Sequence, residues 1–382
     1  MLKNLFVFAP VVISSACALF FMEVLARKPN IDFSEAALGT QNTSRFAVRD
    51  DIVIHAQKIE DFPKLISGFK SRNLRNAVLW LGNSQLHAIN SADADAETAA
   101  AKAHDSLTKD GFDLIAVSYP NANLQEHLVT LAYMQNQMPE IKFVILPLVF
   151  DDFRESSIRD EVKPLLRDIS VARKLKSLQC CEPLITSLLS DNSSPPSDPL
   201  NREVQSPKTS QEKSEHYLNQ ILEKNWPLWA AREKARGLFF VQLYRLRNTI
   251  FGITPQTKRS VIKPLYVANK NALNGILELA QHDDIRVISY IAPLRTDIEP
   301  PYVPAEYALF KNEVRNLCSK FQNASFFDFE RIVPAEYWGL KNNTSLKASQ
   351  EIDFMHFMEP GHRRLANAII EVFRSMDLEN IR

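Results

Sequence analysis

Residues 77–85 read AVLWLGNSQ, a short hydrophobic run that passes directly into a Gly-Asn-Ser-Gln turn. The first five residues are apolar without interruption. Such continuous hydrophobicity is typical of a strand in a parallel sheet, because helices cover both faces of that sheet. The stretch therefore predicts a buried strand that ends at a polar turn.

Four further hydrophobic runs have the same character and alternate with helical patterns. The predicted strands are Ala77–Leu81, Asp113–Tyr119, Phe143–Phe150, Ile285–Ala292 and Ser325–Phe329. The predicted helices are Ala94–Leu107, Leu124–Gln137, Lys270–His282, Ala305–Phe321 and Gly361–Met376. This alternation predicts a doubly wound α/β domain with a parallel sheet. In such a domain the ligand site lies at the carboxyl ends of the strands.

Residues 152–263 interrupt this rhythm and are predicted to form a helical and flexible insertion. The segment Ser190–Pro207 is rich in Ser, Pro and Asp, which is typical of a loop. The following segment, Tyr217–Ile253, is amphipathic and contains several aromatic residues. It fits a helix that lies on a membrane or a partner, but ordinary packing on the α/β core is the favoured alternative.

The composition excludes several classes of function. The 382 residues include 45 Lys+Arg and 45 Asp+Glu, so a formal net charge of zero gives no attraction to nucleic acid. Only nine glycines occur, and neither a G-x-G-x-x-G motif nor a P-loop is present. The four cysteines form no C-x-x-C pair, and the histidines are scattered. We therefore expect no nucleic-acid partner, no cofactor and no metal.

The N-terminal 28 residues are predicted to be a membrane anchor. Leu5–Met22 is an uncharged run of 18 residues, close to the roughly 20 that one crossing requires. A cleaved signal peptide and a lipoprotein signal ending at Cys17 are alternatives, but the apolar run continues beyond Cys17. We predict a single-pass protein whose soluble body, residues 29–382, lies outside the cytoplasm.

Ser84 is the first candidate catalytic residue. A serine that follows the first strand of an α/β sheet sits where a helix begins, and its hydroxyl points into the cleft. Asn83 can fix the turn through hydrogen bonds to the local backbone. A serine becomes a nucleophile only beside an imidazole base that is itself oriented by another group. The alternative is that Ser84 merely caps the helix.

Asp353 and His356 provide the missing groups near the C-terminus. They are three residues apart, in the stretch DFMH, which we predict to be a loop before the last helix. The Asp353 carboxylate can then orient the His356 ring and stabilise its cation, while the other ring nitrogen takes the serine proton. A structural role for this pair is the alternative.

A first-strand serine together with an Asp-x-x-His before the last helix resembles the SGNH (GDSL-like) hydrolase superfamily. The resemblance covers roughly residues 75–155 and 265–376. It implies a flavodoxin-like sheet and a Ser-His-Asp esterase or acyltransferase centre. Ser84 would be the nucleophile, His356 the base and Asp353 its partner.

The family's oxyanion donors are only partly matched. The family usually has a glycine after the second strand and an asparagine after the third. Here Asn121 and Asn123 follow the second strand, and Asp151 and Asp152 follow the third. The candidate oxyanion or substrate-binding residues are Asn83, Asn121, Asn123 and Arg295. Arg295 can hold an anionic group bidentately, or it can form a structural ion pair with Asp297.

One anchor followed by such a domain resembles the membrane-tethered members that work beside multi-pass membrane O-acyltransferases, such as the D-alanyl transfer protein and the alginate O-acetylation proteins. The resemblance implies a protein of the bacterial cell membrane that acts on an acylated envelope polymer or extracellular polysaccharide. Two alternatives remain. One is a catalytically silent assembly or polymer-binding factor, and the other is a structural envelope protein.

Overall fold

The computed structural model describes residues 41–74, 76–155, 158–178, 232–341, 344–346 and 350–378. These residues belong to two compact units. The larger one contains residues 41–178, 255–341 and 351–378, and the smaller one contains residues 232–254, 344–346 and 350. The predicted anchor and the loop Ser190–Pro207 lie outside the described residues. Across the described ranges no helix combines the length and the apolarity needed to cross a bilayer.

Twelve strands and nine α-helices are found in the described residues. The strands are β1 Asn42–Ser44, β2 Val48–Arg49, β3 Ile52–Val53, β4 His55–Ala56, β5 Asn76–Gly82, β6 Ala88–Asn90, β7 Phe112–Ser118, β8 Ile141–Leu148, β9 Arg286–Ile291, β10 Ala324–Asp328, β11 Trp338–Lys341 and β12 Glu351–Phe357. The helices are α1 Phe62–Ser71, α2 Ser84–His87, α3 Ala99–Leu107, α4 Leu124–Gln137, α5 Ile169–Lys176, α6 Arg232–Ile250, α7 Lys263–His282, α8 Pro304–Cys318 and α9 Glu359–Leu378.

The larger unit is built on a six-stranded parallel sheet in the order β10-β9-β8-β5-β7-β4. Numbered along the chain, its five long strands follow the order 2-1-3-4-5. The crossover direction reverses between the first and third of them, β5 and β8, and ligand sites of doubly wound sheets lie at that position. The predicted doubly wound α/β architecture with a parallel sheet is confirmed.

Both faces of the sheet are covered, which explains the uninterrupted hydrophobic runs. Along β5, Leu79 and Leu81 pack into a core formed with α1, α4 and α7, whereas Val78 and Trp80 pack into a second core with α3 and α9. All four side chains are fully buried. Burial of each such side chain stabilises the fold by about 1.5–3 kcal/mol, so neither face of this strand tolerates polar residues.

The five predicted strands are confirmed, and their ends differ from the prediction by no more than two residues. Helix α7 begins seven residues earlier than expected, because Pro264 occupies the first turn, where a proline needs no backbone hydrogen bond. Two-residue β4, which pairs with β7 at the sheet edge, was not predicted. It is too short to give a periodic signal.

The structure describes only the two ends of the predicted insertion. Within it, α5 packs against α4 in the larger unit, and its Val171 and Leu175 are buried in the core. Residues 179–231 lie outside the described residues. The helical expectation for the aromatic stretch is met from Arg232 onward, where α6 begins.

Candidate active site

The turn after β5 places Ser84 at the start of α2. Asn83 adopts an extended backbone, and its side-chain oxygen accepts a hydrogen bond from the Gln85 N–H at 3.0 Å. Asn83 is therefore the N-cap, and the alternative that assigned this role to Ser84 is wrong. Gly82 permits the tight turn, because a Cβ there would lie 2.7 Å from Leu86 Cδ2.

Ser84, His356 and Asp353 form a continuous hydrogen-bonded chain. The Asp353 carboxylate accepts from His356 Nδ1 at 3.0 Å. This contact fixes the proton on Nδ1, so Nε2 is free to accept from Ser84 Oγ, also at 3.0 Å. The structure thus brings together the three residues predicted to be catalytic, across 272 positions of sequence. The arrangement can activate a serine hydroxyl for attack on a carbonyl.

Asp353 and His356 lie on β12, so their predicted placement in a loop is wrong. In a regular strand, residues three apart point to opposite faces. Here β12 is irregular: Ile352 pairs with Leu340 and Phe357 pairs with Trp338, so five steps on β12 face two on β11. The extra residues form a bulge, in which Asp353 Oδ1 accepts from the backbone N–H groups of Met355 and His356. The bulge turns the two side chains toward each other.

The Asp353 carboxylate is held in its charged form. Burial alone would raise its pKa, but the charge of His356 and its hydrogen bond outweigh burial, with help from Lys341 and the Met355 N–H. The pKa of Asp353 is therefore well below its ordinary value. A negative charge at this position can stabilise an imidazolium at His356.

A pair of asparagines supports Asp353 from behind. Asn42 Nδ2 donates to Asp353 Oδ2 at 2.9 Å, and Asn42 Oδ1 accepts from Asn90 Nδ2 at 3.0 Å. Asn90 Nδ2 also donates to the Leu340 carbonyl oxygen at 2.8 Å. Gly339 leaves room for this arrangement, since a Cβ there would overlap the Asn90 side chain. Neither asparagine was predicted, because their partners Asp353 and Leu340 lie 311 and 250 residues away in the chain.

We expect Asn42→Ala to lower kcat/KM for a p-nitrophenyl ester by about 10-fold to 100-fold, the usual value of a hydrogen bond to a charged group. Asn42→Asp is expected to lower kcat/KM further than Asn42→Ala does, because it places a second carboxylate against Asp353. The measurement is ester hydrolysis by the full-length variants at neutral pH. An Asn42→Asp variant as active as wild type would contradict this supporting role.

Gln85 connects the turn at Ser84 to strand β12. Its Nε2 donates to the carbonyl oxygens of Pro293 and Met355, each at 2.8 Å. Met355 lies between Asp353 and His356 in the chain, so this buried side chain links α2 to the β12 bulge. No role for Gln85 was predicted, because no local pattern indicates acceptors 208 and 270 residues away in the chain.

The four predicted oxyanion or substrate-binding residues each have different surroundings. Asn83 directs its Nδ2 to Asp152. Asn123 caps α4, with its side-chain oxygen accepting from the Gln125 and Glu126 N–H groups. Asn121 is exposed, with a left-handed backbone at φ 50°. Arg295 forms a bidentate ion pair with Asp297 and donates to the Gly339 carbonyl oxygen, which is the structural alternative.

A second serine is also held by imidazoles. Ser118 Oγ lies 2.7 Å from both His55 Nε2 and His87 Nδ1. All three side chains are buried, and burial lowers the pKa of His55 to about 3. No carboxylate contacts either imidazole in the described part of the chain, so this cluster lacks the group that stabilises an imidazolium.

A small cavity opens at the same edge of the sheet. It measures about 220 Å³, including the part open to solvent, and is lined mainly by apolar and aromatic residues from the ends of β8 and β9 and from β12. Met355, beside His356, is one of them. Among the described residues, no three His, Cys, Asp or Glu side chains form a group able to hold a metal ion.

Comparison with known proteins gives no match, either to a protein-family model or to a curated protein sequence.

Proposed function

We propose that the protein is a serine-dependent ester hydrolase or O-acyltransferase of the SGNH type. The hydrogen-bonded chain from Ser84 through His356 to Asp353 is the observation that supports this most strongly. Its position agrees with the proposal, because Ser84 follows the central strand where ligands of doubly wound sheets bind.

The reaction has two steps. In the first, His356 Nε2 takes the Ser84 proton while Oγ bonds to the acyl carbon, and the alcohol leaves with the proton that His356 returns. In the second, a hydroxyl compound gives its proton to His356 and attacks the acyl-Ser84 ester, and Ser84 recovers the proton. Water as the acceptor makes the protein an esterase, and a sugar hydroxyl makes it an acyltransferase.

The proposed substrate is an acylated cell-envelope polymer or extracellular polysaccharide. This part of the proposal rests on the resemblance to membrane-tethered members of the superfamily, together with the predicted anchor in residues 1–28. The protein would then be held in the bacterial cell membrane by one helix, with its catalytic unit on the outer side and a multi-pass O-acyltransferase as partner.

A catalytically silent assembly or polymer-binding factor is the second candidate. The placement of the predicted oxyanion donors favours it: Asn83 and Arg295 direct their donors to protein carboxylates. An acyl-transfer centre needs donors aimed at the developing oxyanion. A factor that only binds the polymer would not need them.

The test is labelling of the full-length protein with a fluorophosphonate probe, followed by digestion and mass spectrometry. We expect the label on the peptide that contains Ser84, because only a serine beside an oriented imidazole reacts readily. Heat-denatured protein is the control and is expected to remain unlabelled. A protein shown by circular dichroism to be folded, yet unlabelled, would contradict the catalytic proposal and favour the assembly factor.

A further inference from the structure

Asp152 is buried against the residue that precedes the nucleophile. It follows β8 and is only 3% exposed. Its two carboxyl oxygens lie 3.1 and 3.0 Å from Asn83 Nδ2. The contact joins the ends of β5 and β8, the two strands between which the crossover direction reverses. Asp152 thus contacts the turn that contains Ser84 through Asn83.

The orientation of Asn83 is fixed by its other contact. The side-chain oxygen of Asn83 accepts the capping hydrogen bond from the Gln85 N–H, so the nitrogen must face Asp152. Reversal of the carboxamide would place a donor against the Gln85 N–H and remove the cap. Asp152 therefore has to present an acceptor to Asn83 for α2 to begin at Ser84.

No positive charge pairs with Asp152 within the described ranges. The nearby cations serve other carboxylates: Arg154 and Arg259 pair with Asp151, and Arg159 pairs with Glu126. Among the described residues, the neutral amide of Asn83 is the only side-chain donor to Asp152. A buried carboxylate in such surroundings is unfavourable, and it takes up a proton instead.

The surrounding negative charges also favour the protonated form of Asp152. Burial is the largest cause that raises the pKa of Asp152 well above its ordinary value. The Asn83 hydrogen bond opposes this effect, whereas the negative charges of Asp151, Glu155 and Glu126 add to it.

We propose that Asp152 works as a neutral carboxylic acid and is a positioning residue for Ser84. Its carbonyl oxygen accepts from Asn83 and so keeps the cap that starts α2 at Ser84. Loss of the proton at high pH places an unpaired negative charge behind the nucleophile, where it opposes the oxyanion. This inference rests on the proposed function, and it deepens the account of the same site.

The first experiment follows the rate of fluorophosphonate labelling of the full-length protein as a function of pH. Wild type is expected to lose labelling rate at alkaline pH as Asp152 ionises. Asp152→Asn keeps an oxygen acceptor for Asn83 and a neutral group, so it is expected to label at a rate near wild type at neutral pH and to lack the alkaline fall. An alkaline fall unchanged in Asp152→Asn would overturn the inference.

Glu155→Gln is a second test variant, because it keeps both Asp152 and the contact of Asp152 with Asn83. The charge of Glu155 raises the pKa of Asp152, so removal of that charge is expected to move the alkaline fall to lower pH. A fall that stays in place or moves to higher pH would count against Asp152 as its source. This variant also tests the idea if Asp152→Asn does not fold.

The second experiment needs no catalytic activity and so separates this inference from the proposed function. Between the ordinary pKa of an aspartate and the raised pKa of folded Asp152, the folded protein binds one proton more than the unfolded chain. The stability of wild type relative to Asp152→Asn is therefore expected to fall as pH rises, by about tenfold in the unfolding equilibrium constant per pH unit. A pH-independent difference would contradict a neutral Asp152, whatever the labelling shows.

Discussion

Ser84→Ala is expected to lower kcat/KM for a p-nitrophenyl ester by about 10⁴-fold to 10⁶-fold, as removal of the nucleophile does in serine hydrolases. The reason is that His356 and Asp353 act only through the Ser84 hydroxyl, which lies 3.0 Å from His356 Nε2. The variant is also expected to take up no fluorophosphonate. The measurement is ester hydrolysis and probe labelling of the full-length protein.

Ser118→Ala is the matched control, because Ser118 is also a buried serine that contacts imidazoles. Its two histidines have no carboxylate partner among the described residues, so we expect labelling of Ser118→Ala to remain close to wild type. The substitution leaves two buried imidazole nitrogens without this partner and costs stability, about 1–3 kcal/mol per orphaned group. The assay is therefore made at a temperature where circular dichroism shows a folded chain. Loss of labelling in Ser118→Ala together with retention in Ser84→Ala would show that the nucleophile is Ser118 and that its assignment to Ser84 is wrong.

The sheet was predictable because its strands are buried on both faces. In β5 and β8 nearly every side chain is apolar, and such runs stand out in the sequence. The antiparallel pairs were not predicted. Strands β1 and β6 have only three residues each, and β11 and β12 are joined by an irregular register. Short or bulged strands carry no sustained alternation, so their pairing depends on contacts that no local pattern reveals.

The candidate site was predictable only where its parts are local motifs. Gly82-Asn83-Ser84 follows a strand, and Asp353 and His356 are three residues apart, so both motifs are visible in the sequence. Asn42 and Gln85 have their partners more than 200 residues away. Side chains that act through such long-range hydrogen bonds belong to residue types that are common on any surface. Their roles become apparent only when the fold has brought the partners together.

Asp353→Asn is expected to lower kcat/KM for the same ester by about 10³-fold to 10⁴-fold, although the side chain keeps its size. Asp353 Oδ1 accepts from two backbone N–H groups, so the introduced carboxamide must keep its oxygen there. Its NH₂ group then faces His356 Nδ1 and forces the proton of the imidazole onto Nε2. His356 can no longer accept the proton of Ser84.

The loss is expected to lie in kcat and not in KM, because the change alters a proton acceptor and leaves the substrate pocket intact. Stability provides an independent measurement. The pKa of Asp353 is lowered in the folded protein, so its carboxylate stabilises the fold above the ordinary aspartate pKa of about 3.9, and this contribution is lost as pH falls below that value. The stability difference between wild type and Asp353→Asn should therefore be constant near neutral pH and shrink under acid conditions. Full activity in Asp353→Asn would contradict an orienting role for this carboxylate and leave His356 without the partner that acyl transfer requires.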